Sequence, residues 1–330
     1  MNTPAEVYVL ARLYLRIYFA AMPFMLLYDF GSQILRAKGD STRPLLALIA
    51  AGATNVVLNL FFVIALHMGV AGVAAATVIS NALSSGLVLY FLTHEEEMIR
   101  LSIGKPGIRR EYLAGVIRIG APAGLQGMVF ALSNVVIQTA VNSFGAAGIA
   151  GTTAGQNFEF MAYFVVNGFA QAATTFTSQN FAAGKTGRCR RIYRYCMAIG
   201  LAAAFAAASV FYLGRAVFIQ FFTEDPEVMK YAFQRMQYVC LPELLTGTYE
   251  ISGGCLRGMG HSLLPAVFTV LGSCLFRLVW IATVFRRWRS YVTLDIVYPV
   301  SWIITGTAVI TAYLILRKRE FAKLETAEEG

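Results

Sequence analysis

The sequence predicts an all-α polytopic membrane protein made of two pseudo-symmetric helix bundles. Composition is the first observation, because 57% of the residues are hydrophobic and only 14% are charged, against about 25% in ordinary globular proteins. The second is that residues 45–66, 70–92 and 197–213 contain no charge and approach the ~20 apolar residues that span a bilayer. The third is a parallel internal repeat. Since lipid offers no hydrogen bonds to the backbone, such segments are predicted to be helices.

The apolar segments predict about nine spans. Their expected bounds are 8–35, 43–66, 70–93, 113–142, 147–181, 192–214, 228–256, 262–285 and 291–316. We therefore expect a partial N-terminal bundle of three spans (1–93), a cytoplasmic linker (94–112), a C-terminal bundle of six spans (113–316) and a cytoplasmic tail (317–330).

Loop charges predict the orientation. Most loop Lys and Arg residues lie in alternate loops, around residues 36–43, 100–110, 185–194 and 317–323, which the positive-inside rule places in the cytoplasm. Arg286, Arg287 and Arg289 run against this pattern. The C-terminus is expected inside and, across nine spans, the N-terminus outside.

The repeat appears when the chain is shifted by 221 residues. Residues 35–44 (LRAKGDSTRP) then align with residues 256–265 (LRGMGHSLLP), and Tyr28-Asp29 aligns with Tyr249-Glu250. The copies are six predicted spans apart, so they share one orientation and form a parallel repeat. If each repeat has six spans, this element is the fourth of its repeat, and three spans are expected to precede Met1.

Other protein classes are poorly supported. The net charge of +9 is explained by loop residues that direct topology, so no nucleic-acid partner is expected. Five cysteines lack CxxC spacing, which argues against a disulfide framework or zinc site. No HExxH or P-loop pattern occurs, so we expect neither an enzyme nor a cofactor.

Several motifs together resemble the multidrug and toxic compound extrusion (MATE) family. They are the repeated Leu-Arg-x-x-Gly-Asp/His-Ser with its following Pro, the Gly72–Thr77 run, Gly120-Ala121-Pro122 and Ser178–Gly184. The resemblance matches the family's fourth to twelfth spans. It implies two six-helix bundles that export cationic, amphipathic compounds in exchange for Na⁺ or H⁺.

Acids inside predicted spans are the first candidates for coupling, because ionisable groups are costly in hydrocarbon. Asp29 and Glu250 occupy equivalent repeat positions, each preceded by a tyrosine (Tyr249 in the second copy) and followed seven residues later by an arginine. Structural ion pairs, Asp29 with Arg36 and Glu250 with Arg257, are the alternative. Glu159 and Glu243 are further candidates, with helix packing as their alternative.

A second set consists of Asn55, Asn59 and Thr77. The two amides are four residues apart and share a helix face, and their oxygens suit a hard cation. The resemblance matches these positions to the family's N-lobe cation site, whose acidic ligand comes from the family's first span. Interhelical hydrogen bonding is the alternative.

A third set lies on the fourth span: Gln126, Asn134 and Gln138, with Asn142, form a four-residue spacing completed by Phe130. This stripe is expected to line a cavity or to hydrogen-bond between helices. Some relatives carry an acid near Phe130, so its absence favours protons acting through Glu250. Nearby aromatic residues are candidates for cation–π contacts with substrates or for packing: Phe158, Phe160, Tyr163 and Phe164.

We therefore expect a monomeric antiporter in a bacterial-type cytoplasmic membrane, with H⁺ or Na⁺ as coupling ion and small cationic or amphipathic substrates. The alternatives are a flippase for lipid-linked precursors and a non-transporting truncated fragment.

Overall fold

The chain is described by a computed structural model that covers residues 5–95, 100–101, 107 and 109–328, with side chains described between Tyr8 and Glu325. All regular secondary structure in these residues is helical. Backbone contacts divide the chain into two compact units, Met1–Gly107 and Ile108–Gly330. Each unit is considered separately.

The first unit contains three long helices. They are α1 (Ala5–Lys38), α2 (Thr42–Leu60), which continues through a π-helical turn (Phe61–Ala65), and α3 (Gly69–Thr93). Helix α1 packs mainly against α3, and the core between the helices contains Leu35, Ala47, Val88 and Leu92. The Tyr28 hydroxyl donates a 3.1 Å hydrogen bond to the Pro44 carbonyl and so links α1 to α2.

Glu95 connects the ends of these helices just outside the apolar segments. Lys38 Nζ, at the end of α1, donates to Glu95 Oε2 at 2.6 Å, and Arg43 of α2 also pairs with Glu95. The hydrogen bond from Lys38, with Arg43 beside it, holds the pKa of the Glu95 carboxyl below its ordinary value. The acid therefore remains ionised and holds two helix ends to the residue that follows α3.

The second unit contains the remaining helices. They are α4 (Arg110–Asn142), α5 (Gly145–Ala182), α6 (Thr186–Leu213), α7 (Arg215–Gln220), α8 (Pro226–Arg235), α9 (Thr246–Gly258), α10 (Leu263–Thr269), α11 (Phe276–Trp280) and α12 (Tyr291–Glu328). Four irregular turns join some of them: Met236–Cys240, Val270–Leu275 and Ile281–Phe285 are π-helical, and Leu241–Leu245 is a 3₁₀ turn. Residues 226–258 and 263–285 are thus continuous but irregular helical segments.

Seven segments of the described chain are long and apolar enough to cross a membrane. They are Tyr8–Lys38, Thr42–Ala65, Gly69–Thr93, Arg110–Asn142, Thr186–Leu213, Leu263–Phe285 and Tyr291–Glu325. The other two predicted spans, 147–181 and 228–256, are also helical but contain the polar side chains described below. The all-α membrane fold is confirmed.

The helix ends within the two repeat copies have the same backbone geometry. Gly39 and Gly260 both have positive φ, 102° and 86°, a conformation that favours glycine. Their N–H groups bond to Arg36 O and Arg257 O, each at 2.9 Å, and the following N–H groups reach Leu35 O at 3.0 Å and Leu256 O at 2.9 Å. This is the Schellman cap. The shared Leu-Arg-x-x-Gly motif therefore encodes the same helix stop twice.

Pro242 interrupts the second unit where the sequence suggests a kink. Proline lacks an N–H, and its ring clashes with the carbonyl four residues earlier. The backbone accommodates it by widening to the π turn Met236–Cys240 and then tightening to the 3₁₀ turn Leu241–Leu245. Glu243 lies inside this irregular segment, a kind of backbone that is common at functional sites.

Candidate functional site

The second unit encloses a cavity of about 420 Å³. Its walls come from α4, α5, α9, α11, α12 and the turn that contains Glu243. The lining residues are Ala123, Gln126, Gly127, Phe130, Asn134, Gln156, Glu159, Phe160, Tyr163, Glu243, Thr246, Tyr249, Glu250, Arg257, Arg277, Tyr298 and Trp302. Polar and aromatic side chains thus line a chamber inside a bundle whose outer surface is strongly apolar.

Glu250 is held loosely at the cavity wall. Its Oε2 lies 3.6 Å from Arg257 Nη2, and the Tyr163 hydroxyl is 3.5 Å from its Oε1. Both distances are at the long end for hydrogen bonds. The ion pair with Arg257, the alternative expected from the sequence, is therefore present as a long contact that leaves the carboxylate facing the cavity.

Glu159 belongs to a tight buried cluster with Arg235 and Asp295. Arg235 is 1% exposed, and its Nε and Nη2 donate to Glu159 Oε2 at 2.9 and 2.8 Å. Its Nη1 donates to Asp295 Oδ1 at 2.9 Å. One guanidinium thus satisfies two carboxylates from α5 and α12. Because buried charges persist only when paired, this cluster fixes the position of Glu159.

Glu243 and Arg277 also face the cavity, without a direct ion pair. Glu243 is 3% exposed, and its Oε2 has no hydrogen-bond partner among the described residues. Arg277 is 2% exposed and donates through Nε to Ser301 Oγ at 2.9 Å. Within the described chain, no carboxylate lies within the 4.0 Å ion-pair limit of Arg277.

Tyr298 connects the two buried arginines. The guanidinium carbon of Arg235 lies 4.2 Å from the centre of its ring, and that of Arg277 lies 4.4 Å from the same centre. Arg277 also contacts the Phe130 ring at 5.4 Å and the Trp302 ring at 6.0 Å. These are cation–π distances. The aromatic lining of the cavity is therefore already in contact with fixed cations of the protein.

The residues of the predicted α4 stripe separate. Gln126, Phe130 and Asn134 line the cavity, whereas Gln138 is exposed and donates to Asn142 Oδ1 at 3.0 Å. Twelve residues along an ideal helix turn the side chain by about 120°. Gln138 therefore lies on a different face of α4 from Gln126.

The four aromatic residues predicted on α5 also divide. Phe160 and Tyr163 line the cavity. Phe158 is 6% exposed and packs against Phe211, Phe218 and Phe222, and Phe164 is 68% exposed on the outer surface.

In the first unit, the predicted amides hydrogen-bond to each other. Asn59 Nδ2 donates to Asn55 Oδ1 at 2.9 Å, and Asn55 Nδ2 donates to Ser80 Oγ at 3.2 Å. Thr77 donates to the Val73 carbonyl of its own helix at 3.0 Å. Asn59 Oδ1 is buried without a donor among the described residues. The arrangement links α2 to α3 and leaves one amide oxygen available.

Asp29, the repeat equivalent of Glu250, lies in a different environment. Its residue is exposed, and no ion pair with it is found in the described part of the chain. The described residues likewise contain no group of three or more His, Cys, Asp and Glu side chains placed to hold a metal ion.

Sequence reasoning missed Arg235, Arg277, Asp295 and Tyr298. The first three are charges within otherwise apolar segments, which is the same observation that selected the glutamates. Applying that rule to basic residues and to α12 would have found them. Their pairing was not visible, because the partners are between 60 and 76 residues apart.

The MatE family model matches residues 1–61 and 122–282. Among curated proteins, the chain is 25% identical to the probable multidrug resistance protein YpnP of Bacillus subtilis, over 95% of this chain and 70% of that protein. It is also 25% identical to the probable multidrug resistance protein NorM of Thermotoga maritima, over 82% of this chain and 59% of that protein. The chain thus spans well under the full length of these relatives.

The fold is similar to that of solved MATE structures. The crystal structure of the Vibrio cholerae MATE transporter VcmN superposes with a TM-score of 0.85 at 20% identity, over 97% of this chain and 73% of that chain. At this identity the likeness establishes the fold alone. Together with the family match over most of the sequence, it shows that the chain belongs to the MatE family, the multidrug and toxic compound extrusion transporters.

Proposed function

We propose that this protein works as a secondary active antiporter that exports cationic, amphipathic compounds in exchange for H⁺ or Na⁺, with Glu250 as the group that alternates between them. The observation that carries the proposal is the loose position of Glu250, between Tyr163 at 3.5 Å and Arg257 at 3.6 Å on the wall of the cavity. A firmly paired carboxylate has no need of a further cation, whereas this one has room for it.

The chemistry follows from the cost of an ionised group away from water. A carboxylate in a low-dielectric cavity gains a large free energy from a proton, a metal ion or an organic cation. Only one of these occupies the same carboxylate at a time. Binding of the driving ion therefore releases the substrate, and binding of the substrate releases the ion, which is the requirement for exchange.

The cavity also suits flat, partly apolar cations. Phe130, Phe160, Tyr249 and Trp302 supply aromatic surface beside the carboxylates, and ring faces attract cations. Gln126 and Asn134 add neutral hydrogen-bonding groups. The names of the relatives, which describe multidrug resistance and export proteins, support the same substrate class.

The remaining features of the proposal come from the sequence. Basic loops place the C-terminus in the cytoplasm, and the protein is a monomer in a bacterial cytoplasmic membrane. Glu250, Glu243, Glu159 and Asp29 are the coupling acids, with Tyr249 beside Glu250. Asn55, Asn59 and Thr77 form part of a cation site in the first unit, where the unpartnered Asn59 Oδ1 is the available ligand. No cofactor beyond the coupling ion takes part.

A flippase for lipid-linked precursors is the second candidate, and one observation favours it. Arg257 and Arg277 both line the cavity, and guanidinium groups bind phosphates well. The three lining carboxylates, Glu159, Glu243 and Glu250, oppose it because they repel an anionic headgroup. The balance of charges thus favours cationic substrates.

The test is efflux of ethidium, a flat organic cation, from cells that express this chain. We expect the wild type to lower dye accumulation relative to empty cells, and Glu250→Gln to abolish the effect. Glu224→Gln is the matched control, because Glu224 is exposed and outside the cavity. Efflux by Glu250→Gln at the wild-type rate would remove Glu250 from the mechanism. Absence of efflux by the wild type would favour a non-transporting fragment.

A further inference from the structure

The charged groups around the cavity are almost balanced. The lining residues include three carboxylates (Glu159, Glu243 and Glu250) and two guanidiniums (Arg257 and Arg277). Directly behind the wall, Arg235 and Asp295 add one charge of each sign. Four carboxylates and three guanidiniums leave one net negative charge when all are ionised.

The charge without a close counterion is at Glu243. Arg235 neutralises the Glu159 and Asp295 side of the cluster through contacts of 2.8 and 2.9 Å, and Arg257 lies 3.6 Å from Glu250. Glu243 is 3% exposed with an unpartnered Oε2. A carboxylate buried in this way requires a proton or another cation. The cluster as a whole therefore has a deficit of a single positive charge.

Arg277 sets the size of this deficit because it is fixed in place. Its Nε is bound to Ser301 Oγ, itself fully buried and donating to the Tyr298 carbonyl at 2.7 Å. The guanidinium also stacks 4.4 Å from the Tyr298 ring centre. Unlike a mobile ion, this charge cannot be displaced by a ligand. A ligand with a second positive charge would meet Arg277 without a carboxylate to offset the repulsion.

We propose that Arg277 is a specificity-determining residue that limits the cavity to one additional positive charge, so that the site selects organic monocations over dications. This inference rests on the proposed function and narrows its substrate class. It also implies that one proton and one monocation neutralise the cavity equally. Exchange of the two leaves the charge of the site unchanged.

The experiment compares two probes of nearly the same shape: methyl viologen, a flat dication, and its mono-N-methyl analogue, a monocation. Equilibrium dialysis with the purified chain in detergent gives the Kd of each. We expect the wild type to bind the monocation more tightly by about tenfold. Preference of the wild type for the dication would overturn the inference without any variant. Binding of neither probe would overturn the proposed function along with it.

Variants then test whether Arg277 causes the preference. In Arg277→Gln the deficit becomes two charges, so the ratio of the two Kd values is expected to move toward the dication by about tenfold. Arg277→Lys keeps the charge and should keep the wild-type ratio. Arg215→Gln is the matched control, because Arg215 also stacks on aromatic rings, Tyr212 and Phe233, but lies outside the cavity.

A charge-restoring pair provides the sharpest comparison. Glu243→Gln combined with Arg277→Gln returns the cluster to one net negative charge, and the monocation preference should return with it. An unchanged ratio in Arg277→Gln, while both probes still bind, would contradict the inference. An equal shift in Arg277→Lys would also contradict it, because shape and not charge would then be responsible.

Discussion

Arg235 is the largest of the fully buried side chains that the structure describes. It contacts Glu159, Asp295 and the Tyr298 ring, and thereby ties α8 to α5 and α12. Gly155 allows this close approach, since a Cβ on that residue would lie 2.9 Å from Arg235 Cγ. The triad is thus a structural cluster that gives the cavity wall its shape.

Removal of Arg235 is expected to destabilise the second unit strongly. Arg235→Ala leaves Glu159 and Asp295 as two buried like charges, and breaking a buried pair in this way costs about 3–5 kcal/mol. Arg215→Ala, which removes an arginine stacked on Tyr212 and Phe233, should cost about 1 kcal/mol or less. Thermal unfolding in detergent measures both. Equal losses of Tm would show that the triad has no special role.

Glu95 makes the stability of the first unit depend on pH. Its pKa is depressed by the hydrogen bond from Lys38 and by Arg43, so the contribution is present above its ordinary value of 4.5 and is lost as the pH falls through the lower value in the folded state. The Tm difference between wild type and Glu95→Gln should therefore be clear at neutral pH and vanish in strong acid. A difference that persists unchanged in acid would contradict the assignment.

At this scale the sequence identifies single groups better than their partners. Glu250 was predictable because the repeat places it opposite Asp29, and an acid in an apolar segment is costly. The long contacts with Tyr163 and Arg257 were not predictable in length, and the pairing of Glu159 with Arg235 and Asp295 joins three helical segments. A linear pattern contains no information about which distant charges meet across a bundle.

At the scale of the helices, α9 depends on small residues where it crosses α5. A Cβ on Gly254 would lie 2.6 Å from the Ala170 carbonyl oxygen, and one on Gly258 would lie 2.8 Å from the Thr174 carbonyl oxygen. Small residues allow helix backbones in membranes to approach closely. This contact positions Glu250, which lies one turn before Gly254 on the same helix.

Gly254→Ala and Gly168→Ala form a matched pair for this packing. A Cβ at Gly168 of α5 meets no atom within 4 Å, so its replacement should be neutral or stabilising by about 1 kcal/mol through helix propensity. Gly254→Ala forces α9 away from a backbone atom and should lower the Tm and weaken ethidium binding together. A Gly254→Ala protein with the wild-type Tm would show that the helices are not in this contact.

Helix geometry also explains which element predictions were right. The spacing on α4 correctly brings Gln126 and Asn134 to one wall, but the drift of the stripe with each four-residue step takes Gln138 out of it. Pro242 signalled a change of backbone, yet its form, a π turn followed by a 3₁₀ turn, depends on the packing around it. The pattern locates such a break, and the surrounding contacts determine its shape.

For the whole molecule, the repeat explains both what is shared and what differs. The two copies keep the same Schellman cap at Gly39 and Gly260, because the motif encodes backbone geometry locally. The acids have diverged, since Asp29 is exposed while Glu250 lies on a cavity wall with a second acid, Glu243, nearby. The proposed coupling chemistry accordingly belongs to the second unit.

The central claim is that a proton and an organic cation compete for Glu250. It is tested most directly by measuring proton release when ethidium binds to the purified chain in a weakly buffered solution. The account predicts that binding releases protons, that the affinity for ethidium rises with pH, and that Glu250→Gln releases none and binds with little dependence on pH. Glu224→Gln should behave as the wild type. Ethidium binding without proton release, or proton release that survives in Glu250→Gln, would contradict the account.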